Sequence, residues 1–300
     1  MRVEFAEAIE KVGTRDKNVV FFTGDLGFNA LENVQLALKE RFINAGVAEQ
    51  NMIGVAAGLA AMGFQTWTYS IAPFITLKAV EQVRNDICRL SLDVKLVGNG
   101  GGYGYGIRGA THHALEDVGI LTSLKHMKVY VPAFSEDVAV MVEHMYREHS
   151  PSYLRLGLSE NTSIRLPPYE PFRRILRGKK VALVVLGPLI HHALAAVSRV
   201  GKSDAVDLWS ITELPFSIPQ QLLHSISDHK KLVVVEEHVK AGGLGEKLLC
   251  SLQEKHVALE DLIHLYAGGY PSGRYGSQEF HRRENDLDSL GIQKHIIRLL

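Results

Sequence analysis

Cysteine is scarce in this chain: Cys88 and Cys250 are the only two among 300 residues. Neither lies in a metal-ligand or redox spacing, which excludes a disulfide framework and a zinc module and predicts buried thiols in a reducing compartment. Charge of one sign is lacking too, since 33 Lys and Arg balance 33 Asp and Glu. Without a net field, neither nucleic acid nor an anionic membrane is an expected partner. No apolar run is long enough to span a bilayer. The N-terminal run Met1-Arg-Val-Glu-Phe-Ala-Glu7 starts as an amphipathic helix and not as a signal segment, which predicts a cytoplasmic protein. What is present is a soluble globular balance, 46% hydrophobic and 22% charged, over a length that suits two domains.

Strand and helix signals alternate along the first half. Asn18–Thr23, Gln65–Tyr69, Val94–Val97, Lys128–Val131 and Tyr153–Leu156 are short apolar runs, and helical spacing falls between them, as over Thr76–Leu90. Strands separated by helices predict a doubly wound parallel α/β sheet over residues 1–160, with its sites beyond the carboxyl ends of the strands. From Asn161 to Lys180 the pattern dissolves into Pro167-Pro168, Pro171 and the basic cluster Arg173, Arg174, Arg177, Lys179 and Lys180. This reads as a solvated linker. A smaller α/β domain over 181–300 then repeats the alternation, with strands at Val181–Leu186, Ala205–Trp209 and Lys231–Val235.

Three constellations carry chemistry. Met52 to Met62 holds no polar side chain, so the helix it forms is expected to be buried on every side, with Gly54 and Gly58 admitting close backbone approach. Glu49 heads that helix. A carboxyl there is either an acid favoured by the helix dipole, or a desolvated group with a raised pKa that shares a proton with a partner. Gly106-Ile-Arg-Gly-Ala-Thr-His-His-Ala-Leu-Glu-Asp117 is a glycine loop with a His pair, suited to close substrate contact. Gly104-Tyr-Gly-Ile-Arg-Gly109 fits a dinucleotide pattern, yet it starts well after its strand and precedes no apolar helix, so it reads as a wall of the site mouth. Arg155, at a strand end, either grips a phosphate or forms an internal ion pair.

Gly46-Val-Ala-Glu49-Gln-Asn-Met resembles the pyrimidine-binding motif of the transketolase and deoxyxylulose-phosphate synthase group of thiamine diphosphate enzymes. The resemblance implies that Glu49 hydrogen-bonds a ring nitrogen of the cofactor's aminopyrimidine and favours the tautomer that removes the thiazolium proton. Gly109-Ala-Thr-His112 is similar to the Gly-Pro-Thr-His segment of transketolases, with alanine for proline. His112 is therefore expected at the sugar's first carbons, while His113 replaces a frequent Gln. Asp25-Leu26 resembles the Ala-Asp-Leu loop that borders cofactor and sugar. Phe74, within Tyr69-Ser-Ile-Ala-Pro-Phe74, matches the aromatic that stacks on the pyrimidine, and Arg155 matches an arginine that helps hold sugar phosphate. Glu236-Glu-His-Val-Lys-Ala-Gly-Gly-Leu-Gly-Glu246 resembles the start of the transketolase C-terminal-domain motif, so the likeness runs along nearly the whole chain.

The Gly-Asp-Gly segment and following Asn that hold the metal and diphosphate in this group have no counterpart, since Gly24-Asp25 is followed by Leu26. The resemblance thus implies a pyrimidine-binding domain and a C-terminal domain only. The expected protein is the C-terminal subunit of a split transketolase, transferring a two-carbon ketol unit between sugar phosphates. Thiamine diphosphate and Mg²⁺ would be completed by an N-terminal subunit that carries the metal ligands, in a dimer of heterodimers. The rival expectations are the beta chain of a 2-oxo acid dehydrogenase's decarboxylating component, a deoxyxylulose-phosphate-synthase-like carboligase, and a non-catalytic homologue.

Overall fold

Short runs of β-branched and aromatic residues, apolar on both faces, form strands that must be covered on both sides. In the computed structural model, which describes residues 1–159, 164–201 and 204–300, they do so in two sheets. The first sheet holds β1 (Val19–Thr23), β2 (Phe42–Asn44), β3 (Gln65–Ile71), β4 (Val94–Asn99), β5 (Lys128–Tyr130) and β6 (Ser152–Leu156). The second is built from β7 (Phe172–Leu176), β8 (Val181–Leu186), β9 (Val206–Ile211), β11 (Lys231–Val235) and β12 (Asp261–Leu265). β10 (Glu213–Leu214) leaves the second domain and pairs antiparallel with β5, closing one edge of the first sheet in the order β10-β5-β6-β4-β3-β1-β2. The second sheet runs β12-β11-β8-β9-β7 and is parallel except for β7.

Helices flank both faces of the first sheet. Arg2–Arg15 and Asp137–Arg147 set Phe5, Ile9, Val138 and Met141 against Phe21, Trp67 and Leu154. On the opposite face Met52, Ile53, Val83 and Ile87 pack on Val20, Phe22 and Leu96, and this cluster continues without a break into Val184, Trp209 and Leu232 of the second domain. The two domains therefore share a core. The doubly wound arrangement expected from the sequence is present, and it places the carboxyl ends of β4, β3 and β1 side by side.

Four expectations are corrected. Residues 76–90 do not form one regular helix: a turn from Ala72 to Ile75 is followed by Val80–Gln82, which runs into a π-helical turn at Val83–Cys88. The expected linker 161–180 is shorter, because Phe172–Leu176 is a strand whose alternating side chains turn to opposite faces. Arg173 there binds both carboxylate oxygens of Asp137 at 2.9 and 2.7 Å, and Arg174 meets buried Asp207 at 2.6 Å, so only Arg177, Lys179 and Lys180 of the basic cluster are exposed. Cys88 is buried as expected, but Cys250 is exposed. Finally, helix Glu49–Ala61 buries Met52, Ile53, Ala56 and Ala57 while its other side is open, with Val55 46% and Met62 just beyond it 75% exposed. Composition indicates that this face wants apolar cover; it does not say that the cover comes from the same chain.

Candidate active site

Glu49 opens helix Glu49–Ala61 beside the carboxyl end of β3, where the strand residue Ser70 meets its carboxyl. Its carboxyl is buried, 1% exposed. Oε1 accepts from Ser70 Oγ at 3.0 Å, and Oε2 meets Lys78 Nζ at 2.8 Å. Burial by itself pushes the carboxyl up, as expected for an acid heading an apolar helix. The bonds from Lys78, its own backbone and Ser70, together with the lysine charge, outweigh that and hold Glu49 below the usual glutamate value. The raised pKa expected for Glu49 is thus reversed by a cation that no motif of the sequence flags. Gly24, just after β1, is closely packed here: a Cβ on it would lie 3.5 Å from Glu49 Oε1 and 3.2 Å from Ser70 Oγ.

Phe74 and His112 join this corner. The Lys78 ammonium lies 5.8 Å from the centre of the Phe74 ring, and the Phe74 ring meets the His112 imidazole edge-on with centroids 5.2 Å apart. His112 is half-buried, its Nδ1 2.9 Å from Thr111 Oγ1, and Tyr105 flanks it at 5.9 Å. Glu49, Phe74 and His112, drawn from three separate segments, are thus linked in one corner, with Lys78 between Glu49 and Phe74. Asp25 and Leu26 follow Gly24 directly and line a separate surface cavity with Phe28, Leu31 and Asn44. Asp25 is exposed with φ of 57° and exchanges hydrogen bonds with Asn44, which also accepts from the Gly46 amide at 2.9 Å. Asn44 so ties the Asp25 loop to the segment that delivers Glu49.

Arg155 is elsewhere. Its Nε donates to Asp117 at 2.9 Å, and one Nη donates to the carbonyls of Ala114 and Glu237 at 2.7 and 2.9 Å, all buried. Tyr153 donates to the same Asp117 oxygen at 2.7 Å. This is the internal ion pair and not a phosphate grip; it braces the His loop against the second domain. His113 is structural as well. Its Nε2 lies 2.8 Å from the Gly106 carbonyl, which assigns the proton to that nitrogen and leaves Nδ1 to accept from Tyr270 at 2.8 Å. Burial dominates over the Gly106 bond and lowers its pKa.

The sequence alone does not single out Ser70, Lys78, Gly24 or Asn44. Ser70 and Lys78 flank the segment around Phe74, and Gly24 adjoins Asp25; the signal available was a polar group at a strand end. Nor does it single out Glu237, which accepts from the Tyr103 amide at 2.7 Å, Gln278 at 2.8 Å and Arg282 at 2.7 Å, holding the glycine loop to the second domain.

The chain is similar to known proteins along its length. A profile for the transketolase pyrimidine-binding domain matches residues 1–161, and one for the transketolase C-terminal domain matches residues 172–268. The chain is 30% identical over 261 residues to one of the subunits of an apulose-4-phosphate transketolase of Actinobacillus succinogenes, covering 84% of this chain and 83% of that one. It is 28% identical over 304 residues to a 1-deoxy-D-xylulose-5-phosphate synthase of Clostridium perfringens, covering 99% of this chain but only 48%, about half, of the synthase. The solved structure described as a split gene transketolase, an inactive beta4 tetramer, superposes with a TM-score of 0.83 at 27% identity over 99% of this chain and 96% of that one. With a pyrimidine-binding domain carrying Glu49 and a C-terminal domain latched to it, the chain belongs to the transketolase family.

Proposed function

We propose that this chain is the C-terminal subunit of a split, thiamine diphosphate-dependent transketolase that moves a two-carbon ketol unit between sugar phosphates. The observation that carries the reading is the Glu49 carboxyl: buried, anchored on one oxygen by Ser70, and met on the other by the half-exposed Lys78 beside Phe74, itself in contact with His112. The fit to an aminopyrimidine rests on three features. Glycine at position 24 keeps a side chain from crowding Ser70 and Glu49, Lys78 on Oε2 is half-exposed and free to withdraw, and Phe74 offers a ring to a flat heterocycle.

The cofactor, when bound, supplies the carbanion-stabilising chemistry. The chain's residues do the rest. Glu49 Oε2 holds or shares a proton with the ring nitrogen, in a place where burial makes that exchange directional. Phe74 shields the ring from water. His112 donates to a hydroxyl or carbonyl at the sugar's first carbons. The Mg²⁺ and diphosphate ligands are assigned to an N-terminal partner subunit. The open face of helix Glu49–Ala61 is assigned to a second copy of this chain, and Gly54 and Gly58, beside which a Cβ would meet nothing within 4 Å, let that copy approach closely.

The test is calorimetric titration of thiamine diphosphate with Mg²⁺ into the chain alone and into its mixture with the N-terminal subunit. Binding only in the mixture, followed by turnover with ketose donors and aldose acceptors, is the expected result. Turnover with pyruvate as donor would instead make it a synthase-like carboligase, the reading favoured by the likeness over 99% of the chain to the synthase. A verified complex that binds no cofactor would overturn the proposal.

A further inference from the structure

A buried carboxylate is costly unless a cation and hydrogen bonds compensate it. Ser70 holds Oε1 of Glu49 from within, and the half-exposed Lys78 stands on Oε2, the oxygen on the accessible side of the pair. We infer that Lys78 is a displaceable counterion: it satisfies Glu49 Oε2 while the site is empty and surrenders that oxygen to the cofactor ring. The inference rests on the function proposed above and adds a residue and a proton balance to it.

Lys78 is suited to leaving. Its side chain is 45% exposed, and Glu49 is its one ion-pair partner among the described residues. A single ammonium on a flexible stem gives up one contact and regains water, whereas a planar bidentate guanidinium would give up two. Its ammonium lies over the Phe74 ring, 5.8 Å from the centroid, so a ring entering against Phe74 meets the ammonium first. The other ionisable groups at this corner are Asp25, engaged with Asn44, and His112, turned to Thr111 and Phe74. Neither substitutes for Lys78 on Oε2.

A proton balance follows. With Lys78 in place Glu49 is ionised. The ammonium keeps its proton when it returns to water, and a hydrogen bond between Oε2 and a ring nitrogen requires a proton between them. That proton comes from solvent, so cofactor entry takes up about one proton per site. Without Lys78, burial protonates Glu49 beforehand, and the uptake falls.

Two measurements test this. In the isolated chain, infrared spectra of the carboxyl C=O stretch at neutral pH are expected to show a buried protonated carboxyl in Lys78→Met that disappears in Lys78→Met/Glu49→Gln. Wild type and Lys78→Arg are expected to lack it. A Lys78→Met chain that folds, by circular dichroism, yet lacks the band would overturn the counterion role without reference to any cofactor; Lys78→Gln serves if Lys78→Met does not fold. In the reconstituted complex, titration of thiamine diphosphate with Mg²⁺ in two buffers of different ionisation heat is expected to report uptake of about one proton for wild type and clearly less for Lys78→Met. Equal uptake and affinity in both would overturn the inference while leaving the proposed function standing. Absence of binding in a verified complex would overturn both.

Discussion

The Phe74 ring stands edge-on to the His112 imidazole with centroids 5.2 Å apart, joining the segment after β3 to the loop after β4. An edge contact leaves the face of one ring free for another flat group, and it fixes how far His112 reaches into this corner. His112 is half-buried with one hydroxyl neighbour, so it is placed by packing more than by hydrogen bonds. His112→Asn is therefore expected to leave the folded state intact and to lower kcat/KM of the reconstituted enzyme by about a hundredfold or more. Steady-state kinetics alongside a thermal melt would check it; full activity would remove His112 from the site.

Glu49→Gln isolates the carboxyl from its packing. Gln keeps the Ser70 contact and frees Lys78, which already reaches water. The melting temperature is expected to change little, while turnover is abolished because an amide cannot hold the exchanged proton. Unchanged turnover would sink the assignment of Glu49.

Glu237, paired with Arg282 of its own domain at 2.7 Å and buried, latches the domains together by accepting from the Tyr103 amide of the first domain at 2.7 Å. Glu237→Ala strands the guanidinium and the Tyr103 amide, and is expected to cost about 3–5 kcal/mol in denaturant unfolding. Burial pushes the Glu237 carboxyl up, but Arg282, Gln278 and the Tyr103 amide outweigh it and hold it below 4.5. The latch thus contributes fully above that value, and its contribution is lost as pH falls through the lower folded value. Acid unfolding of the wild type should show this slope, and Glu237→Ala should not.

His113 gives a second, separate pH signature. Burial lowers its pKa from 6.5, so the unfolded chain binds the proton more readily than the folded one. Stability from this group is complete above 6.5 and declines as pH falls below it. His113→Gln is expected to flatten that decline in melts run between neutral pH and pH 5. An unchanged slope would assign the effect to other histidines.

The two residues of the candidate site that were legible in the sequence each sit in a contiguous run. Glu49, in Gly46-Val-Ala-Glu-Gln-Asn-Met, and His112, in Gly109-Ala-Thr-His, come from distant runs and are brought into one corner through Lys78 and Phe74. Lys78 was not legible, because its meaning depends on a carboxylate 29 residues away that only folding brings to it. Arg155 was open to two readings for the same reason: its partner Asp117 lies 38 residues off, and a strand-end arginine looks alike whether it faces a ligand or the interior. β7 was hidden because Arg173 and Arg174 resemble a solvated run until two buried carboxylates, Asp137 and Asp207, are set on opposite faces of the strand.

The open face of helix Glu49–Ala61 allows folding and assembly to be separated. Gly58 is exposed, and a side chain there meets nothing within 4 Å in the single chain. Replacing a helical glycine removes a penalty of about 1 kcal/mol, so Gly58→Leu is expected to raise the stability of the isolated chain slightly. If a second copy packs its backbone against Gly54 and Gly58, the same side chain obstructs it, and a neighbour with Val55 and Met62 exposed beside it cannot compensate for the lost approach. Sedimentation velocity should then show wild type self-associating and Gly58→Leu reduced to a smaller species, with circular dichroism unchanged. Association that survives Gly58→Leu at equal strength would move the interface to another face of the chain.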